Sequence, residues 1–126
     1  MNKLDLNKYD FFVGVPDSAL KNIIKQIENT NKKHIIACNE AHAVGIAFGA
    51  ILAGANPCVY LQNSGLGNII NPLTSLCIPS GVEPFLLIGH RHTLEQHKIM
   101  GEIDEKLLKL LNYKNYFLFK GENNVK

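Results

Sequence analysis

Glu40 and the run Gln62-Asn63-Ser64-Gly65-Leu66-Gly67-Asn68 carry the side chains best suited to chemistry in this sequence. Each follows a short apolar stretch, His34 to Cys38 in the first case and Pro57 to Gln62 in the second. Packing alone has no use for amides, a hydroxyl and glycines at such a junction. What they supply is a set of hydrogen-bond donors and acceptors where a parallel sheet presents its carboxyl edge, the ligand edge of open α/β folds. A carboxyl group at the first turn of a buried helix has two readings. Either it complements the helix dipole or a cap, or, shielded from water, it is held protonatable and shares a proton with a heteroaromatic nitrogen. Asp17 and Ser18 follow Gly14-Val15-Pro16 at the end of another apolar stretch, where they can cap a helix and also touch a ligand. His90, Arg91, His92 and His97 populate a further loop on the same edge. They suit an anion better than zinc, because no cysteine or carboxylate set completes a metal-ligand pattern.

These residues need elements to position them, and strand-like and helix-like stretches alternate along the chain. Strands are expected at 11–15, 34–38, 57–62, 84–89 and 116–119. Helices are expected from Asp17 or Ser18 to about Asn29, from about Glu40 to Gly54, from about Gly67 to Cys77, and after a polar loop from His90 to Met100. The first helix places Leu20, Ile23, Ile24 and Ile27 on one face. The last turns Ile103, Leu107, Leu108 and Leu111 inward. Short strands that are apolar throughout, joined by helices, predict an α/β fold, a three-layer, doubly wound, mostly parallel sheet. In the second helix Gly45, Gly49 and Ala53 recur every four residues. That stripe packs the helix tightly on its own sheet, or it meets a second subunit.

Composition excludes several classes. The 126 residues, 46% hydrophobic and 19% charged, describe one globular domain, 1–126, without repeats or a linker. A formal charge of +2 gives no basic footprint for nucleic acid. Nothing reads as a signal or an anchor, and the apolar run from Ala43 to Ala55 is broken by glycines, so a cytoplasmic location is expected. Cys38, Cys58 and Cys77 have no CxxC spacing, which suits buried, reduced thiols rather than nucleophiles. Neither a GxGxxG after the first strand nor a Walker A sequence is present.

Three blocks, Phe11-Phe12-Val13-Gly14-Val15-Pro16-Asp17-Ser18, Asn39-Glu40-Ala41-His42-Ala43-Val44 and Tyr60 to Leu76, resemble the N-terminal pyrimidine-binding domain of phosphonopyruvate decarboxylase. The related sulfopyruvate decarboxylase α subunit is similar but fits the run from Gln62 to Leu76 less well. The resemblance covers roughly residues 10 to 100. It implies dependence on thiamine diphosphate, with Glu40 as the catalytic glutamate that hydrogen-bonds N1′ of the aminopyrimidine and so favours the tautomer that activates C2 of the thiazolium. A 2-oxo acid then adds and loses carbon dioxide. It further implies that Glu40, Asn63, Ser64, Gly65 and Asn68 contact the cofactor, while Asp17, Ser18, Gln62, Arg91 and His97 line the substrate edge. The family's second half, which carries Gly-Asp-Gly and a later Asn for Mg2+ and diphosphate, has no counterpart here. A diphosphate-binding domain or β subunit on another chain, in a homo- or hetero-oligomer, is therefore implied, with no metal ligand on this one. Two departures stand out: Leu94-Glu95 replaces the acidic-Pro pair expected before Gln96-His97, and the domain's end looks clipped. Phosphonopyruvate is the implied substrate and sulfopyruvate the alternative. A catalytically silent interaction module of the same fold is the other class.

Overall fold

The computed structural model describes residues 3–121. Five strands, β1 (Phe11–Gly14), β2 (Lys33–Ile36), β3 (Pro57–Gln62), β4 (Phe85–Gly89) and β5 (Tyr116–Phe119), form one sheet in the order β2-β1-β3-β4-β5. Every pairing is parallel. The helices are α1 (Lys21–Glu28), α2 (Glu40–Leu52), α3 (Ile70–Pro72, continued by a wider π turn over Leu73–Cys77) and α4 (Glu95–Leu110).

Side chains alternate across each strand, and both faces of the central strands β1, β3 and β4 are buried. Val13, Val59, Leu61, Leu86 and Ile88 pack on one side with Ala43, Val44, Ala47, Leu73 and Leu108 of the helices. Phe12, Cys58, Tyr60 and Leu87 pack on the other with Leu20, Ile23, Ile24 and Ile27. Each α1 isoleucine removed from water in this way contributes about 1.5–3 kcal/mol. The β1–α1–β2 crossover runs one way along the sheet and the later crossovers the other. Right-handed connections then place α1 on the face opposite the remaining helices, which gives the expected three layers.

The strand order reverses between β1 and β3, so the connections leaving their carboxyl ends turn to opposite faces of the sheet and leave a crevice between them. Gly14 lets the two strands meet there, since a Cβ would lie 2.2 Å from the Tyr60 carbonyl oxygen. Lower down, His34 Nε2 lies 2.7 Å from the buried Tyr60 hydroxyl. Burial holds the His34 imidazole below its ordinary pKa, with Glu28 partly opposing.

Several expectations are corrected. The second strand ends at Ile36 rather than Cys38, and Cys38 is exposed, while Cys58 and Cys77 are buried. The third helix is not one continuous element from Gly67. A 3-10 stretch already begins at Asn63, and Pro72, with no N–H to donate, interrupts the α-helical ladder. The loop expected up to Met100 is helical from Glu95, with no Gly or Pro among residues 95–100 to prevent it. Gly45, Gly49 and Ala53 are exposed rather than packed on the sheet, because Ala43, Val44 and Ala47 take that face.

Candidate active site

Asn39 starts α2 by accepting a hydrogen bond from the His42 N–H at 2.9 Å, which fixes Glu40 in the first turn. Glu40 leans across to the 3-10 turn after β3. Gly65 is the reason it can, since a Cβ at that position would stand 2.5 Å from Glu40 Cγ. Asn68, at the end of the same turn, donates Nδ2–H to Glu40 Oε1 at 2.8 Å. The sequence suggests a fully shielded carboxyl. In this chain Glu40 is half-buried, because the turn covers it from one side only.

A second set of contacts bridges the β1/β3 crevice. Asp17 caps the turn before α1 by accepting from the Ala19 N–H at 3.2 Å, and its other oxygen accepts from Gln62 Nε2 at 2.6 Å. Ser64 donates its hydroxyl to Gln62 Oε1. Arg91, at the end of β4, reaches over this pair. Its Nε lies 3.5 Å from Asp17 Oδ1 without forming a hydrogen bond, and one terminal nitrogen donates to the Ser18 hydroxyl. The other terminal nitrogen lies 3.5 Å from His97 Nε2 on the first turn of α4.

Beneath both sets lies a polar group that sequence reasoning missed. Asp104 of α4 is 2% exposed. Its Oδ2 accepts from Asn63 Nδ2 at 3.0 Å and lies 2.5 Å from His90 Nδ1, while Oδ1 accepts the Glu105 N–H at 2.7 Å. Asn63, fully buried, also donates to the Arg91 carbonyl at 2.9 Å. Gly101 lets α4 close on the same loop, since a Cβ would lie 2.7 Å from that carbonyl oxygen. The arginine backbone is therefore held from two sides. The sequence did carry a signal for this group: Asp104 stands beside Ile103 and one turn before Leu107 and Leu108, on the helix's inward face, where a carboxylate needs partners.

The structure thus gathers every residue expected at the site on one edge of the sheet. Glu40, Gly65 and Asn68 form one group; Asp17, Ser18, Gln62, Ser64, Arg91 and His97 form the other; Asn63 supports the second from below. A cavity of about 360 Å³ adjoins Asp17 and Ser18 along α1. A larger cleft of about 650 Å³ lies at the β5 edge, away from this chemistry, lined by residues such as Glu105, Lys109 and Tyr116. Among the described residues no group of histidine, cysteine and carboxylate side chains could hold a metal ion, and no helix is long and apolar enough to cross a membrane.

A doubly wound parallel sheet whose polar residues bridge the strand-order reversal is an open α/β domain, the class of fold whose ligand edge is the carboxyl edge of the sheet. No family profile matches the chain. It is 39% identical over 120 residues to the sulfopyruvate decarboxylase subunit alpha of Methanocaldococcus jannaschii, covering 91% of this chain and 71% of that one. It is 34% identical over 105 residues to the corresponding subunit of Methanococcus maripaludis, covering 79% and 62%. The phosphonopyruvate decarboxylase of Streptomyces viridochromogenes is 37% identical over 103 residues, 77% of this chain but 26% of that protein. The chain belongs to the sulfopyruvate/phosphonopyruvate decarboxylase family, and it spans from about a quarter to about seven tenths of these relatives' lengths.

Proposed function

We propose that this chain is the pyrimidine-binding part of a thiamine-diphosphate-dependent 2-oxo acid decarboxylase, completed by a diphosphate-binding domain or subunit on another chain. The observation that carries the reading is the seat of Glu40. Its carboxyl group lies over Gly65, in a cradle that any side chain there would fill, with one oxygen held by Asn68. A carboxyl oriented in this way can present an oxygen to a ring nitrogen of an aminopyrimidine and hold the shared proton there. The residues present fit the pyrimidine end of the cofactor. Mg2+ and the diphosphate are assigned to the other chain, as the family resemblance implies. When bound, thiamine diphosphate supplies the electron sink that a 2-oxo acid needs in order to lose carbon dioxide.

The chain's own residues then divide the work. Glu40 holds the proton at the pyrimidine ring. Gly65 and Asn68 fix its rotamer, and Ser64 is exposed beside them. Asn63 acts from underneath, its amide hydrogens committed to Asp104 and Arg91. Asp17, Ser18, Gln62, Arg91 and His97 form the substrate side. Phosphonopyruvate is the substrate read from the run between Gln62 and Leu76. Sulfopyruvate is the second reading, favoured by the length of the match to the α subunits. The exposed Gly45, Gly49 and Ala53 face is a surface on which a partner chain can approach α2 closely, in a cytoplasmic enzyme.

In the test, the chain is combined with a candidate diphosphate-binding partner, thiamine diphosphate and Mg2+, and carbon dioxide release is followed. Glu40→Gln keeps the shape and removes the shared proton, so turnover falls by about two orders of magnitude or more. Near-normal turnover by the variant overturns the role given to Glu40. A lack of turnover with any partner favours a silent module.

A further inference from the structure

We infer that Arg91, with Ser18 and His97, forms the subsite for a tetrahedral oxyanion on the substrate's tail, a sulfonate or a phosphonate; this deepens the decarboxylase reading and rests on it for the identity of the substrate. The bonding capacity of the guanidinium is not used up. Its approach to Asp17 is 3.5 Å with no hydrogen bond formed, and Nε is left buried without a partner. Asp17 is already satisfied by neutral donors, the Gln62 amide at 2.6 Å and the Ala19 N–H at 3.2 Å. The pair is therefore a loose one, and a guanidinium fork matches a tetrahedral oxyanion's edge better than a single distant carboxylate oxygen.

Position supports the same reading. The Arg91 backbone is anchored by Asn63 and by the close approach of Gly101, so only the side chain has freedom to re-aim. Ser18 supplies a hydroxyl beside the guanidinium, and the adjoining cavity adds Lys21 and Lys25 to its walls against Asp17 and Glu28. His97 contributes a ring nitrogen on the opposite side of the guanidinium from Ser18. Glu40 belongs to the other group of contacts, linked to this one through Gly65, Ser64 and Gln62. An oxo acid lying along the edge would thus place its reacting end toward Glu40 and its charged tail toward Arg91.

The test uses the full chain alone and needs neither cofactor nor turnover, so it reads out even where the decarboxylase reading fails. 3-Sulfopropanoate and 3-phosphonopropanoate keep the tail and lack the keto group; propanoate lacks the tail. Nuclear magnetic resonance titration is expected to show saturable shifts at Arg91 Nε–H, Ser18 and His97 with the two tail-bearing acids and none with propanoate. The tighter of the two identifies the tail. Arg91→Gln weakens that binding by about tenfold or more, the equivalent of one charge-assisted hydrogen bond, and Arg91→Lys, which keeps the charge but loses the fork, falls between. Ser18→Ala, a gentler change to the fold, weakens it by a few-fold. Binding that is unchanged in Arg91→Gln, absent in the parent chain, or equally strong for propanoate overturns the inference. In the assembled enzyme Arg91→Gln raises KM for the tail-bearing acid far more than it lowers kcat; the reverse split also overturns it.

Discussion

Glu40 and Asp104 are both carboxylates at the carboxyl end of the same sheet, yet they are treated in opposite ways. Asp104 is 2% exposed and takes hydrogens from Asn63, His90 and the Glu105 backbone. Glu40 is half-buried and accepts one described hydrogen bond, from Asn68. Buried carboxylates must be fully partnered or they destabilise the fold. Asp104 is consumed by structure: it ties α4 to the ends of β3 and β4. Glu40 keeps bonding capacity and an open side, as a group must if it is to engage something from outside the chain.

Substitutions can break that contrast. After Glu40→Gln, the largest functional effect is expected from Gly65→Ala. The new methyl meets the flexible Glu40 side chain from Cγ outward, so Glu40 shifts and the fold loses about 1–2 kcal/mol relative to the parent. A displaced carboxyl, however, costs about a hundredfold in turnover of the assembled enzyme. Carbon dioxide release and thermal unfolding measured on the same preparation separate the two. Asp104→Ala should do the reverse at the level of the fold. It orphans a buried donor on Asn63 and a half-buried one on His90 and lowers unfolding free energy by about 3 kcal/mol in urea titration, while Asp104→Asn recovers part of the loss.

The smallest effect serves as a control from a region of neither kind. His34, against the Tyr60 hydroxyl, has a pKa below its ordinary 6.5 because burial disfavours the imidazolium. The folded state therefore binds fewer protons than the unfolded chain. The stability this favours is fully present above about pH 6.5 and declines as pH falls through that value toward the lowered pKa. His34→Gln should flatten this acid-side slope in denaturation at about pH 7.5 and about pH 5, leaving the anion titration at Arg91 unchanged.

Strands and crossovers were legible in the sequence because their signal is local. Apolar runs such as 57–62 and the isoleucine face of α1 lie where their patterns place them. The edge residues were legible because polar side chains stood where packing had no need of them. What the sequence hid were relations between distant segments. Asp104 was concealed within an amphipathic helix, and its meaning depended on Asn63, 41 residues earlier. The start of α4 was concealed because the residues from His90 onward are polar, and a polar helix turn looks like loop until the strand before it is fixed. The outward face of Gly45, Gly49 and Ala53 depended on which side of α2 the sheet claimed.

Two of the hydrogen bonds along this edge, Glu40 with Asn68 and Ser18 with Arg91, join residues 28 and 73 positions apart. Loops of that length close late, after the strands that bring their ends together. The recognition surface is consequently among the last parts of the molecule to exist during folding. A chain arrested with a strand undocked would have no weakened version of it, so ligand capture can report on whether the whole sheet has been completed.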